Sequence, residues 1–399
     1  LLSSVPPGVH PDEAANGLDI IRMIEQGDFR VLYNTNGPRE ALFFYLQLPF
    51  VWLLGGTSLA LRIAPALIGV ASVVVLYLFV RLIWGVRAAL VTSFLMAIDP
   101  WHITMTRDGF RASMTPLVTT LVLYLYARAI RDRSWRDFLL AGFFLGLGFY
   151  TYLSYRLFPL VILALMVWLG WRYWDVAKSY IRPLLASFGM AAITLIPLLI
   201  YGLYNPGDLG ARAGGTSVFN PSLNNGDLLG TLIDNVGKTA LMFTVQGDAN
   251  YRHNLGGLPL LDPVTGVLFI VGIVYFVARI SRPTYALVLI WLGVMVLPNI
   301  LSIGAIPPVM IIAGVCATWV WTRILGTFPQ NRYIQRTLVA LVLGLATFTT
   351  VYSYQRYFVV WAKSPATHQA YSQDTVDMAA YHNSLARKGY HQYAVTDGY

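Results

Sequence analysis

Apolar residues in this chain fall into long uninterrupted runs, separated by short clusters rich in Arg, Pro and Gly. A helix needs about 17–25 apolar residues to cross a bilayer. By that length rule about ten spans are expected, at roughly 58–80, 88–98 (short), 115–130, 137–153, 157–172, 183–203, 263–280, 284–303, 306–324 and 336–353. The stretch 41–56 is also apolar, but it is 16 residues long and contains Pro49, which suits a juxtamembrane or re-entrant helix. The expected fold class is an all-α polytopic membrane protein.

Composition supports this reading. The 399 residues are 56% hydrophobic, 14% aromatic and 12% charged, with a mean hydropathy of +0.59. The net charge of +9 comes from a pattern that suits membrane topology, not nucleic-acid binding. Half of the 28 Lys and Arg lie in five short loops on one face: Arg81 and Arg87; Arg128, Arg131, Arg133 and Arg136; Arg172, Lys178 and Arg182; Arg279 and Arg282; Arg323, Arg332 and Arg336. The positive-inside rule makes that face cytoplasmic. The protein is then expected in the plasma or cytoplasmic membrane, with Asp12 and Glu13, the 98–114 loop, the 204–262 loop and the C-terminal tail outside. Cys316 is the lone cysteine and lies in an apolar run, so neither a disulfide framework nor a cysteine metal site is expected.

The chain opens at Leu1-Leu2-Ser3-Ser4 without a Met, and an earlier transmembrane helix is expected to precede it. Residues 1–353 read as a transmembrane domain and 354–399 as the start of a soluble extracytoplasmic domain. Within that tail, 374–388 has a helical pattern with Val376, Ala379, Ala380 and Leu385 on one side, and Tyr390 to Thr396 reads as a short strand.

Four polar clusters fall on the outer side. The first is His10, Asp12 and Glu13, where the adjacent carboxylates are either a helix start favoured by the macrodipole or groups that do chemistry. The second runs from Asp99 and His102 to Arg107, Asp108 and Arg111. If that segment is helical, Arg107 and Arg111 share a face as an i, i+4 pair and form a fork for phosphate oxygens, or else anchor to lipid headgroups or pair with Asp108. The third, Tyr150 to Arg156 with Tyr152 in it, is an interfacial tyrosine belt or a second phosphate contact through Arg156. The fourth, Gly247 to Asn254, holds Asp248, Arg252 and His253 in a long loop, as either a lid over substrate or a solvated turn region.

The chain has no P-loop, dinucleotide fingerprint, nucleophile elbow or two-His zinc helix motif. Its spans carry few ionisable residues of the kind that pumps and coupled transporters use. The energy for any reaction is therefore expected to arrive with the substrate. A lipid-linked-sugar flippase or other transporter is the alternative, and it would need a polar pathway through the bilayer. A metal site has no strong ligand spacing; His10, His102 and His253 leave a divalent cation open, and no other cofactor is expected.

The ordered clusters resemble the GT-C superfamily of membrane glycosyltransferases, close to its protein O-mannosyltransferase and aminoarabinose transferase group. The resemblance rests on His10-Pro11-Asp12-Glu13, Pro38-Arg39-Glu40 leading into Phe44-Tyr45-Leu46, Ser58 through Arg62, Thr106 through Arg111, Tyr150 through Arg156, and Gly247 through Asn254. It implies a bundle of about a dozen helices with juxtamembrane helices in the first outer loop and a C-terminal α/β domain, here without its first helix and most of that domain. It also implies an inverting transfer of a hexosyl or mannosyl-type sugar from a polyprenyl-phosphate donor to a protein, lipid or glycan hydroxyl outside the cytoplasm. The family's acidic dyad maps onto Asp12 and Glu13. Related chains often carry a His and an Arg near the outer start of the penultimate span, whereas Ile306-Pro307-Pro308-Val309-Met310 has neither.

Under that reading Asp12 is the expected base for the acceptor hydroxyl, and Glu13 positions it or binds sugar hydroxyls. Arg107, Arg111 and Arg156 are the expected donor-phosphate contacts. His10, Asp108, Tyr152, Asp248, Arg252 and His253 are the expected substrate-binding residues.

Overall fold

A computed structural model of the chain describes residues 1–208, 226–297 and 303–386, with positions 210, 220 and 224 besides. After an N-terminal segment, α1 (Pro11–Gln26) leads into a small antiparallel hairpin of β1 (Leu32–Tyr33) and β2 (Arg39–Glu40), with Leu32 opposite Glu40. Then come α2 (Leu42–Leu54), α3 (Ser58–Trp84), α4 (Val86–Ile98), α5 (Pro100–Arg107), α6 (Met114–Asp132), α7 (Trp135–Leu147), α8 (Phe158–Arg172) and α9 (Ile181–Tyr204). The second half contains α10 (Leu228–Leu241), α11 (Pro263–Val277), α12 (Pro283–Met295), α13 (Ile306–Thr327), α14 (Arg332–Tyr354), α15 (Pro365–Ala370) and α16 (Gln373–Ala386).

Among the described residues six helical stretches are long and apolar enough to cross a bilayer, and the chain is an integral membrane protein. They are Ser58–Trp84, Arg111–Asp132, Leu153–Arg172, Trp174–Tyr204, Ile303–Thr327 and Arg332–Trp361. Leu42–Leu54, Val86–Ile98, Pro263–Val277 and Pro283–Met295 are apolar but shorter. The 13 residues of α4 rise only about 20 Å, against a hydrocarbon core of about 30 Å. The chain continues beyond α4 as α5 after a break at Asp99, whose side chain caps the next helix by accepting the His102 N–H at 2.9 Å.

The centre of the bundle is α13. Every residue from Ile306 to Cys316 is buried. It packs against α4 closely enough that a Cβ on Gly314 would meet the Thr92 hydroxyl oxygen at 2.2 Å. The core continues through Leu76, Phe79, Met96, Phe138, Phe276 and Trp291, from five other helices. By contrast α9 and α14 present mostly exposed apolar side chains, among them Ile193, Leu203, Leu341 and Leu343, as expected of helices facing lipid.

The basic loops share one end of the bundle. There Tyr180 donates to the Ile130 carbonyl at 3.3 Å and Tyr173 to the Ser281 carbonyl at 3.0 Å, joining three of the loops. At the opposite end lie α1, the hairpin, α5 and the loop before α11.

The sequence boundary at 353/354 is crossed by continuous helix. A π-helical turn, Gln355–Trp361, extends α14, and Tyr357, Trp361 and Tyr371 pack with Val5 and Ile103. The expected helix at 374–388 is found as α16, whereas the strand expected at Tyr390 to Thr396 lies outside the described residues.

Candidate active site

The two leading carboxylates separate because they are neighbours on a helix. Successive residues of α1 point about 100° apart, so adjacent side chains cannot face one surface together. Glu13 turns inward and is 1% exposed, whereas the Asp12 side chain is 35% exposed. Pro11 and the His10 ring start the helix, with His10 Nδ1 accepting the Asp12 N–H at 3.1 Å. That role requires a bare ring nitrogen, and burial followed by the nearby Arg252 charge lowers the His10 pKa to about 4, so the ring is neutral at pH 7.

Glu13 is held by Arg62, in the first turns of α3. Arg62 Nε donates to Glu13 Oε1 at 2.8 Å and Nη2 to Oε2 at 2.9 Å. Its remaining N–H groups reach the carbonyls of Leu2, Pro6 and Gly8 at 3.3, 2.7 and 2.7 Å. Burial pushes the Glu13 carboxyl upward, and the Arg62 fork opposes that push. In this geometry Glu13 fixes the N-terminal segment against α3.

Asp12 faces a different set of partners. It accepts from Asn36 in the hairpin turn at 2.7 Å and from Arg252 Nη1 at 2.9 Å. Burial alone would raise its pKa, but the Arg252 charge and these two hydrogen bonds outweigh it and hold the carboxyl below its usual value. Arg252 Nε lies 3.7 Å from Asp108 Oδ2, within ion-pair range but too far for a hydrogen bond. Asp108 is fully buried, which raises its pKa, and its Oδ2 lies 3.3 Å from the Tyr371 hydroxyl oxygen. The chain reaches this point because Gly109 passes against α1: Asn16 donates to its carbonyl at 3.1 Å, and a Cβ there would fall 2.6 Å from Glu13 Cγ.

The expected i, i+4 pairing of Arg107 with Arg111 does not form. α5 ends at Arg107, Asp108 is extended, and Arg111 opens a 3-10 turn, so the two guanidiniums diverge. Arg107 donates to the carbonyls of Leu1 and Val5 at 2.9 and 3.1 Å and lies over the rings of Tyr357 and Phe358. Arg111 turns instead towards Glu40, with Nη1 3.4 Å from Oε2, and Arg156 meets the other oxygen of the same carboxylate at 3.1 Å. Two guanidiniums thus converge on one carboxylate, and the Arg156 side chain is 26% exposed.

Aromatic rings join these centres into one row. Arg252 sits 4.9 Å over Phe110, Phe110 meets Tyr152 edge-on at 5.3 Å, and Arg111 lies 5.6 Å over Tyr152. His253 stacks on Phe110 and its Nδ1 is 3.1 Å from Asp248 Oδ2. Burial raises the Asp248 pKa, but the His253 bond and the Asn250 N–H bring it below its usual value. His102 lies apart, buried in α5, and burial lowers its pKa to about 4. Among the described residues no three His, Cys, Asp or Glu side chains converge as a metal cage, and the space between Asp12 and Asp108 holds the Arg252 guanidinium.

Sequence reasoning did not single out Asn36, Glu40, Arg62 or Tyr371 for site roles. Asn36-Gly37 is a hairpin signal that marks the first. Tyr371 was hidden in a tail that read as a separate domain.

Residues 39–201 match the family model of dolichyl-phosphate-mannose-protein mannosyltransferases. No curated protein sequence matches significantly. Among solved structures, ArnT from Cupriavidus metallidurans bound to undecaprenyl phosphate superposes with a TM-score of 0.56 at 16% identity, over 92% of this chain and 74% of that one. The oligosaccharyltransferase AglB from Archaeoglobus fulgidus, in complex with an inhibitory peptide and a dolichol-phosphate, gives 0.55 at 18% identity, over 92% and 52%. The chain thus spans about half the length of the archaeal enzyme. It has the GT-C fold of membrane glycosyltransferases.

Proposed function

We propose that the chain is an inverting glycosyltransferase that moves a sugar from a polyprenyl-phosphate donor to an acceptor hydroxyl on the extracytoplasmic face. The observation that carries this reading is the row from Asp12 through Arg252, Phe110, Tyr152 and Arg111 to Arg156, which sets a half-exposed carboxylate beside cationic groups at one end of a membrane bundle. Lipid phosphates bound to ArnT and AglB support the donor class, and the match to mannosyltransferases supports a hexosyl sugar of mannosyl type. The acceptor is a hydroxyl of a protein, lipid or glycan. The Arg-rich loops at the far end of the bundle support an outward-facing site.

In the proposed reaction Asp12 takes the proton of the acceptor hydroxyl as its oxygen attacks the anomeric carbon from the side opposite the phosphate. The bond between the anomeric carbon and the phosphate oxygen breaks, and polyprenyl phosphate leaves with the electron pair. That group is a weak base and needs no proton, so one carboxylate suffices where glycosidases use two. Arg111, Arg156 and Arg252 offset the charge that grows on the phosphate. The apolar packing around α13 supports transfer at one face over passage of substrate through the bundle.

The test is Asp12→Asn in membranes supplied with polyprenyl-phosphate sugar. Transfer is expected to fall by about 100-fold or more; undiminished transfer removes Asp12 from the mechanism.

A further inference from the structure

Arg252 stands between two carboxylates and fully satisfies neither. Nη1 donates to Asp12 at 2.9 Å, while Nε is 3.7 Å from Asp108. Both Nε and Asp108 Oδ1 are buried without a hydrogen-bond partner among the described residues. The backbone that carries Arg252 is pinned on both sides. Trp361 donates its indole N–H to the Tyr251 carbonyl at 2.8 Å, Arg356 reaches the Asn254 side chain at 2.7 Å, and the Tyr371 hydroxyl donates to the Arg252 carbonyl at 3.0 Å. A fixed backbone beneath a long side chain allows the guanidinium to exchange partners without movement of the loop.

The chemistry gives it a reason to exchange. A carboxylate engaged by a guanidinium is a poor proton acceptor, because the proton must compete with a charge-assisted hydrogen bond. A guanidinium also matches the oxygen geometry of a phosphate, to which it can donate two parallel hydrogen bonds. We infer that Arg252 is an exchangeable counter-charge: it neutralises Asp12 in the resting site, and the donor phosphate takes it over and leaves Asp12 free to accept the proton. This rests on the reading of Asp12 as the base. It makes base strength conditional on donor binding, so the carboxylate is held in check until a sugar is in place.

The test is a double-mutant cycle on the binding of undecaprenyl phosphate, which carries no sugar, to the purified protein in lipid nanodiscs. Asp12→Asn releases Arg252 and is expected to tighten binding at least about threefold. In an Arg252→Gln background the same change is expected to give less than half that gain on a logarithmic scale, since only the removal of local repulsion remains. A gain of half or more in that background, or no gain from Asp12→Asn alone, overturns the proposal. Arg252→Met, which keeps the apolar stem, serves as the background if the Gln protein is not recovered. The cycle reads phosphate binding and not transfer, so its outcome is independent of whether Asp12→Asn abolishes activity.

Discussion

Arg62 places its guanidinium edge-on to the Glu13 carboxylate, at 2.8 and 2.9 Å, with both side chains sealed from solvent. A buried pair of this kind has cost much of its attraction in desolvation, but removing one partner strands the other charge. Arg62→Met is therefore expected to destabilise the protein by about 3–5 kcal/mol and to release residues 1–8. Thermal unfolding in detergent and proteolysis of the N-terminal segment measure the two effects. Asp12→Asn, at a half-exposed site, is expected to leave the melting temperature nearly unchanged.

The divergence of Arg107 and Arg111 predicts different phenotypes for two arginines four residues apart. Arg111→Ala and Arg156→Ala are expected to raise the donor KM by about tenfold, the loss of one charge-assisted phosphate contact of 1.5 kcal/mol or so. Arg107→Ala is expected to loosen the turn at Leu1 to Val5 and to change donor KM by less than about twofold. Steady-state kinetics at varied donor concentration distinguish them.

His10 gives a pH dependence with a definite sign. Its pKa falls from 6.5 to about 4 on folding, so between those values the unfolded chain binds a proton that the folded chain does not. Stability therefore rises with pH through this window and is lost as the pH drops from 6.5 towards 4. Wild type is expected to lose up to about 3 kcal/mol more than His10→Asn over that interval. Unfolding temperatures of the two proteins at matched pH provide the comparison, and parallel curves would remove His10 as the cause.

Gly109 has no room for a methyl group. A Cβ would lie 2.6 Å from Glu13 Cγ and 3.0 Å from Oε1, both fixed by Arg62. Gly109→Ala is expected to cost about 1–3 kcal/mol through overpacking and to shift Asp108 away from Arg252. A lower melting temperature together with a higher donor KM is the expected combination.

The helices were legible because apolar runs report burial and lipid contact directly. The arginine fork depends on a continuous helix across Asp108-Gly109, and Gly109 marks a place where a helix readily stops. The divergence of Asp12 from Glu13 follows from helix geometry alone once α1 is granted. Nothing local announces that Arg252 pairs with Asp12, or that Arg111 and Arg156 converge on Glu40, because those contacts are made between segments far apart in the chain.

The Val9 N–H donates to the Tyr371 carbonyl at 2.8 Å, and Gly8 lies so close to Tyr371 that a Cβ would overlap that same oxygen. The Tyr371 hydroxyl in turn reaches Asp108 and the Arg252 carbonyl. During synthesis, Asp12 therefore leaves the ribosome long before the residue that completes its surroundings. The site closes on itself only after Tyr371 has been translated, so a nascent protein shorter than that carries the carboxylate without the wall that organises it.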